Sequence, residues 1–207
     1  MLSPNTFYHI YNHANGDDNL FREDKNYRYF LALFQKHISP IANTFAYCLM
    51  PNHFHFLLKI KEVAVFQTFP KFETLENLEN LENLETPENY LILQHYISKQ
   101  FGNCFSAYTQ GYNKAYDRRG SLFIKNFKSK AVDSDLYFTR LVNYIHFNPV
   151  AHGFVEGIED WPYSSYKAFL ENSKTAIQKQ QTLDTFGGIE KFLEAHQSPF
   201  KLEDAFD

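Results

Sequence analysis

The chain of 207 residues carries a formal net charge of −4, and its hydrophobic content of 44% is enough to bury the core of one domain with extensions. No apolar run is long enough to span a membrane, and residues 1–5 show neither the basic region nor the apolar region of a signal peptide. We therefore expect a cytoplasmic protein that makes no membrane contact. Cys48 and Cys104 lie within apolar patterns rather than in a Cys-x-x-Cys spacing, which predicts reduced thiols in the core.

The first sixty residues predict a strand, a helix and a hairpin. Residues 6–12 are aromatic and β-prone and precede an Asn/Gly/Asp turn. Asp24 is placed to cap a helix whose apolar residues recur at helical spacing as far as Pro40. Residues 44–50 and 53–60 then read as two strands joined by a tight turn at Pro51 and Asn52.

Residues from about 61 to 89 interrupt this order with a low-complexity insertion. Three copies of Leu-Glu-Asn occupy residues 75–83, and six glutamates fall between residues 73 and 88 without a lysine or arginine. Leucine at every third position drifts around a helix and makes no single apolar stripe. We therefore expect a solvated helical turn or a mobile insertion, with a leucine-mediated partner contact as the alternative.

The second half predicts a helix over residues 90–112, a strand within residues 121–132 and a helix that Asp133 or Ser134 caps. That last helix should end near residue 147, because a residue before proline disfavours the helical conformation. The order strand, helix, two strands, helix, strand, helix is that of an α+β ferredoxin-like fold. We expect an antiparallel sheet with helices packed on one face and the other face open, plus a C-terminal helical extension. One face of the strand at residues 53–60 should then look out on the open side or on the edge of a helix.

The stretch around His53 and His55 predicts a functional strand. Side chains alternate between the two faces of a strand, so the two imidazoles share one face with Leu57, while Phe54 and its alternate neighbours share the other. Two imidazoles on one rigid strand make half of a metal site. A bare His-x-His pair is equally consistent with two half-buried structural histidines.

A second cluster lies far along the chain, where Tyr144 and Asn148 are four residues apart and thus on one face of the predicted helix. If that face meets His53 and His55, two imidazoles and an amide oxygen surround one position beside a phenol. Mixed nitrogen and oxygen ligation suits Mg²⁺ or Mn²⁺. A divalent cation would polarise a phosphodiester while the tyrosine attacks it, the chemistry of covalent strand cleavage. A helical tyrosine is otherwise more often a packing residue.

A basic stretch from residue 99 to residue 140 holds eight lysines and arginines against three aspartates. Such a stretch in an acidic protein is either an anion-binding face or a solvated surface. Five of its members are candidate anion contacts. They are Arg118, Arg119, Lys125, Lys128 and Lys130.

The sequence resembles the REP-associated tyrosine transposases, a group within the single-tyrosine HUH transposases. The resemblance covers roughly residues 6–170 outside the insertion, and it depends on the order of several motifs. They are Tyr8-His9-Ile10-Tyr11-Asn12, Ala46-Tyr47-Cys48-Leu49-Met50-Pro51-Asn52-His53-Phe54-His55-Phe56-Leu57-Leu58, Arg118-Arg119-Gly120-Ser121-Leu122-Phe123, Phe127-Lys128 with Val132-Asp133-Ser134-Asp135, Tyr144-Ile145-His146-Phe147-Asn148-Pro149-Val150, and Trp161-Pro162-Tyr163-Ser164-Ser165-Tyr166. His13 departs from the pattern, since relatives often carry arginine there.

This resemblance implies an HUH endonuclease fold at residues 1–170, with residues 171–207 as the helical extension. It implies a Mg²⁺- or Mn²⁺-dependent nuclease and strand-transferase that acts on single-stranded DNA hairpins of imperfect palindromes through a 5′-phosphotyrosine. It assigns the metal ligands to His53, His55 and Asn148, and the nucleophile to Tyr144. It also makes the basic stretch a candidate DNA face, with Arg118, Arg119, Lys125, Lys128 and Lys130 as contacts to DNA. The protein would act as a monomer or homodimer.

Two other functions compete with that interpretation. A protein that only holds DNA hairpins needs no nucleophile, so the set formed by His53, His55, Tyr144 and Asn148 argues against it. A metal-dependent nuclease that uses water would leave Tyr144 with a structural role, and a Tyr144→Phe substitution separates this reading from covalent catalysis.

Overall fold

The structure is a computed structural model that describes residues 1–66, 86–172 and 174–200. The Leu-Glu-Asn copies at residues 75–83, and the expectations attached to them, lie outside the described residues. Within the described part of the chain, no helix combines the length and apolar character that crossing a membrane requires. Cys48 and Cys104 are buried free thiols, as predicted.

The described residues contain four strands and seven helices. The strands are β1 Phe7–His13, β2 Ala42–Leu49, β3 His53–Ile60 and β4 Lys128–Val132. The helices are α1 Asp24–His37, α2 Val63–Phe66, α3 Pro87–Ala115, α4 Asp135–Ala151, α5 Tyr166–Leu170, α6 Lys179–Phe186 and α7 Ile189–Ala195, with a 3₁₀ turn at Ile158–Asp160. Helix α1 begins one residue after Glu23, which takes the cap position predicted for Asp24, and Ser134 caps α4 by accepting a hydrogen bond from the Tyr137 backbone N–H.

The strands form one antiparallel sheet in the order β2-β3-β1-β4. Strand β1 lies between β3 and β4, so each strand–helix–strand unit skips over one neighbour. This is the split arrangement of ferredoxin-like folds, and the predicted fold class is confirmed. The register pairs Tyr11 with His55 and His13 with His53, which brings the side chains of β1 and β3 together on one face.

One face of the sheet is covered by α1 and α3. Phe54, Phe56 and Leu58 of β3 are at most 1% exposed and pack in a core with Phe30 and Phe34 of α1. The Phe34 and Phe56 rings stack with their centroids 4.2 Å apart. The alternation predicted for β3 is therefore confirmed, because these three residues point away from His53 and His55.

The other face was predicted to be open, and this is wrong. Leu57 of β3 is fully buried in a second core together with Leu141 and Ile145 of α4. Leu183 and Phe192, from α6 and α7, belong to the same core. Local patterns did not reveal this layer, because α4 and the C-terminal helices bury their apolar residues only through contacts between distant segments.

The predicted end of α4 before Pro149 is also wrong, since the helix continues to Ala151. Proline removes one backbone donor, but Pro149 stands in the last turn, so the loss is confined to one hydrogen bond. The helix keeps the following bond, from the His152 backbone N–H to the Asn148 carbonyl at 3.1 Å, and Pro149 is buried. Packing of this last turn against the sheet outweighs the local preference against a helix before proline.

A chain of buried hydrogen bonds joins the C-terminal helices to α4. Ser165 Oγ lies 2.9 Å from His146 Nε2, and His146 Nδ1 lies 2.9 Å from His196 Nε2. His196 Nδ1 in turn donates to the Phe192 carbonyl at 2.7 Å. Two neutral imidazoles satisfy every link of this chain, because Ser165 donates to His146, which donates to His196. His146, although part of a motif with Tyr144, therefore has a structural role.

Acid should destabilise the protein through His196. Burial lowers the pKa of His196 to about 4, whereas an unfolded histidine titrates near pH 6.5. Between these values the unfolded chain binds more protons, so the free energy of unfolding falls as the pH is lowered from about 7 to 5, by up to ~1.4 kcal/mol per pH unit for each such histidine. Thermal melts across this range should show the decline. His196→Gln, which keeps an acceptor for His146 without titrating, should make the slope shallower, and an unchanged slope would contradict the assignment.

Candidate functional site

The site lies between the sheet and α4. Strand β3 presents His53 and His55 toward the helix, and Tyr144 and Asn148 face them from consecutive turns of α4. His53 Nε2 is 2.9 Å from Asn148 Oδ1, and the His55 and Tyr144 rings meet edge to face with centroids 5.4 Å apart. The structure thus brings together the four side chains predicted to carry the chemistry, and all four come from one chain.

The hydrogen bonds around His53 leave a place for a cation. Its Nδ1 lies 2.7 Å from Asn52 Oδ1, and its Nε2 lies 2.9 Å from Asn148 Oδ1. A neutral imidazole has one N–H, so if Nδ1 donates to Asn52, the lone pair of Nε2 faces the amide oxygen. Two lone pairs directed at one point are the arrangement that a metal ion satisfies. Ligands on adjacent corners of an octahedral ion at about 2.1 Å would stand about 3 Å apart, which fits the observed distance.

His55 is held by a partner that the sequence did not reveal. Its Nδ1 lies 2.9 Å from Nε2 of His9, which is fully buried on β1. If His55 donates through Nδ1, its Nε2 keeps the lone pair that a metal requires, which is the usual outer hydrogen bond of a metal-binding histidine. Tyr11 lies over the same pair, with its ring 4.6 Å from that of His9.

Two further histidines flank His53 at the surface. His13 of β1 stacks on it with ring centroids 4.6 Å apart, and His152 at the end of α4 lies 5.0 Å away. The spacing of residues in the sequence indicates both positions. His9, Tyr11 and His13 alternate on β1 as the two histidines do on β3, and His152 continues the four-residue spacing of Tyr144 and Asn148. The register between β1 and β3 that joins them is not visible in the sequence.

Burial keeps the imidazoles neutral. It lowers the pKa of His53 to about 4, although the hydrogen bond that a protonated ring would donate to Asn148 acts in the opposite direction, and it lowers the pKa of His9 to about 3 with help from the charge of Lys130. The pKa of His55 is also well below its ordinary value, because of burial and the neighbouring histidines. Neutral imidazole is the form that binds a metal ion, so at neutral pH these ligands lose no proton when they bind one.

Tyr144 is not an activated nucleophile by itself. Burial raises its pKa above that of an ordinary tyrosine, although a hydrogen bond from Asn148 acts in the opposite direction. Because Asn148 directs its oxygen to His53, its amide nitrogen is the atom left to donate to the phenol. Activation at neutral pH therefore requires added positive charge near the phenol oxygen.

No cluster of three or more His, Cys, Asp or Glu side chains within residues 1–66, 86–172 and 174–200 has the geometry of a metal site. Among the described residues, the set at α4 contains two such side chains, His53 and His55, beside the amide of Asn148. A metal bound here would depend on that amide oxygen, which is a neutral ligand suited to hard cations.

Two of the predicted basic contacts border the site. Lys130 pairs with His9 and Lys128 with Tyr11 across the ladder between β4 and β1, so both lysines share the face of the sheet that carries the histidines. Both are exposed, and the Lys130 ammonium lies 5.5 Å from the centre of the Tyr137 ring of α4. They form a basic rim at one edge of the site.

The other three predicted contacts lie before β4. Arg119 and Lys125 are exposed, whereas Arg118 is about four-fifths buried. Its guanidinium binds the Asp18 carboxylate and donates to the Ser121 carbonyl at 2.9 Å, so it ties the loop between α3 and β4 to the segment after β1. Arg118 is thus a loop-organising residue, and we do not retain it as a phosphate contact.

Fold and site together define the class of protein. It is a ferredoxin-like α+β protein in which a His-x-His pair of a central strand faces a tyrosine and an amide four residues apart on a helix. No protein-family model matches the chain.

One curated relative matches over 125 residues with 27% identity, and it is the putative REP-associated tyrosine transposase of Haemophilus influenzae. The match covers 59% of this chain and 58% of that protein, so it spans less than two thirds of either. A solved structure of a REP-associated tyrosine transposase bound to a REP hairpin also matches, at 17% identity, over 82% of this chain and 81% of the other, with a TM-score of 0.48. The curated relative confirms the resemblance to the REP-associated tyrosine transposases that the motifs predicted.

Proposed function

We propose that the protein is a metal-dependent endonuclease and strand-transferase that cleaves single-stranded DNA at hairpins through a covalent bond to Tyr144. The observation that carries the proposal is the convergence of His53 Nε2 and Asn148 Oδ1, 2.9 Å apart, next to the phenol of Tyr144. The curated relative, named as a putative REP-associated tyrosine transposase, supports the transposase class and a DNA substrate.

His53, His55 and Asn148 would hold a Mg²⁺ or Mn²⁺ ion. When bound, such an ion supplies positive charge that polarises the scissile phosphate and stabilises the phenolate. The described chain offers no carboxylate ligand at this position, so the two neutral imidazoles and the amide leave the full charge of the ion to the substrate. Since all these side chains belong to one chain, a monomer supplies the whole set.

The residues of the chain perform the bond changes. The Tyr144 oxygen forms a bond to phosphorus and loses its proton, while the bond from phosphorus to the 3′ oxygen breaks and that oxygen gains a proton. The product is a 5′-phosphotyrosine and a free 3′-hydroxyl. Because the energy of the phosphodiester is kept in the new bond, a 3′-hydroxyl of another strand reverses the step and completes strand transfer.

Lys128 and Lys130 would hold the backbone of the strand that enters the site. Both are exposed at the β4 edge, on the same face as the histidines. Contacts of this kind bind any sequence and weaken with salt. Arg119 and Lys125 would extend the same path along the loop before β4.

Tyr144→Phe should abolish cleavage and leave DNA binding intact, because the substitution removes one oxygen and keeps the ring against His55. A DNA hairpin library with single-stranded flanks, incubated with Mn²⁺ or Mg²⁺, measures both properties through strand cleavage and hairpin retention. Tyr11→Phe, on the same face of the sheet, is the matched control and should retain cleavage.

One observation favours an alternative, since burial raises the pKa of Tyr144 and so disfavours its reactive form. A wild-type protein that retains hairpins but cleaves none of the library would support a hairpin-binding protein without strand transfer. Cleavage that survives in Tyr144→Phe would support a nuclease that uses water.

A further inference from the structure

A cleft of about 740 Å³ lies on the side of the sheet away from α4, between α3 and the loop that leads into β4. Its volume is within the range of about 300–1,000 Å³ that small-molecule sites occupy. Neither Tyr144 nor either histidine of the candidate site lines it, so the cleft is separate from the position of the proposed chemistry.

The wall that α3 contributes consists of small side chains. Ser98, Gly102 and Ser106 follow each other at four-residue spacing and all line the cleft. Glycine is among the least favourable residues inside a helix. A Cβ atom at Gly102 would meet nothing within 4 Å, so packing within the described residues does not require glycine there. What its absent side chain preserves is open space in the cleft.

The remaining surfaces of the cleft suit an aromatic, negatively charged ligand. Phe105, Phe123 and Phe127 are aromatic residues that line it, and Lys125 is the only charged residue among the described ones that do so. Asn126 follows with a backbone φ of 64°, a left-handed conformation that residues other than glycine rarely adopt. No carboxylate lies in the described lining to repel a phosphate.

The cleft and the candidate site lie on opposite faces of the sheet and share strand β1. Asn12 lines the cleft and donates through its side chain to the Ile124 carbonyl at 3.1 Å. The next residue of β1, His13, accepts a hydrogen bond from the Ile124 backbone N–H through its carbonyl and stacks on His53 with its ring. A strand whose phosphate reached His53 would pass over the loop at Ile124 and Lys125, which is bonded to this end of β1, and place a neighbouring nucleotide in the cleft.

We propose that this cleft binds an unpaired nucleotide of the single strand that flanks the hairpin, with its base among the phenylalanines and its phosphate at Lys125. Stacking of a base on an aromatic ring tolerates any sequence, while the polar side chains at the rim can select among bases. The inference rests on the proposed function, since it assumes that single-stranded DNA is the substrate.

Gly102→Leu tests the proposal, because a leucine fills the cleft while it favours the helix. Gly102→Ala is the matched control, since a single methyl group leaves most of the space open. Both are measured in the Tyr144→Phe background with a chelator, so that neither cleavage nor metal binding affects the result. The probes are a fluorescent oligothymidylate and two retained hairpins from the library, one with single-stranded flanks and one without.

We expect Gly102→Leu to weaken binding of the flanked hairpin and of oligothymidylate about tenfold, to leave binding of the unflanked hairpin unchanged, and not to lower the melting temperature. Gly102→Ala should bind like the parent. Equal affinity of Gly102→Leu and the parent for the flanked hairpin would overturn the proposal. A wild-type protein that retains no hairpin at all would contradict the proposed function, and with it the inference.

Discussion

Replacing His53 by alanine should lower metal-dependent cleavage about a thousandfold. The substitution removes the imidazole that faces Asn148 Oδ1 at 2.9 Å, and with it one of the three expected ligands. Metal catalysis of phosphoryl chemistry contributes several kcal/mol, and each ~1.4 kcal/mol corresponds to a factor of ten in rate. Calorimetric titration with Mn²⁺ should show the accompanying loss of binding.

His95→Ala is the control for this prediction. His95 is exposed on α3 and, among the described residues, bonds to the Leu91 carbonyl one turn earlier, so its loss should affect neither cleavage nor Mn²⁺ binding. Asn148→Ala should resemble His53→Ala, since both remove one of the converging atoms. A His53→Ala protein that folds and still cleaves at the wild-type rate would contradict the assignment of His53 as a ligand.

Replacing Phe56 by alanine should lower the free energy of unfolding by about 3–5 kcal/mol. Phe56 is 1% exposed and stacks on Phe34, so the substitution leaves a cavity in the core beneath α1 and α3. Denaturant unfolding measures the change. The result matters for the site, because Phe56 follows His55 directly and fixes the strand with its histidines toward α4.

Phe154→Ala is the matched control, since this phenylalanine is 46% exposed and packs only on Trp161 among the ring contacts of the described residues. Its removal should cost less than about 1 kcal/mol. A small effect at Phe56 would mean that the apolar face of β3 does not hold the strand in place.

The local features of the fold were predictable from the sequence because they depend on spacing within one segment. The two-residue alternation of β3 separates His53 and His55 from Phe54 and Phe56, and the four-residue spacing of Tyr144 and Asn148 places them on one helical face. The order of elements was enough to indicate the ferredoxin-like sheet.

What the sequence could not supply depends on contacts between distant segments. The His9 partner of His55 and the stacking of His13 on His53 require the register of β1 against β3. The continuation of α4 through Pro149 and the covering of the second face require the tertiary packing of α4 and the C-terminal helices.

The charge of a side chain likewise says little about its partner. Arg118 and Lys130 belong to one basic stretch, yet Arg118 is bound to Asp18 whereas Lys130 remains exposed at the edge of the site. Only the fold separates the arginine that organises a loop from the lysine that is placed to meet DNA.

Cleavage through a covalent bond to Tyr144 is tested most directly by trapping the covalent intermediate. Wild-type protein is incubated with labelled hairpin DNA and Mn²⁺, separated on a denaturing gel, digested and mapped by mass spectrometry. Covalent catalysis by Tyr144 predicts a metal-dependent protein–DNA band whose nucleotide is attached to the peptide that contains Tyr144. Metal-dependent cleavage without such a band, or a nucleotide attached to another residue, would contradict it.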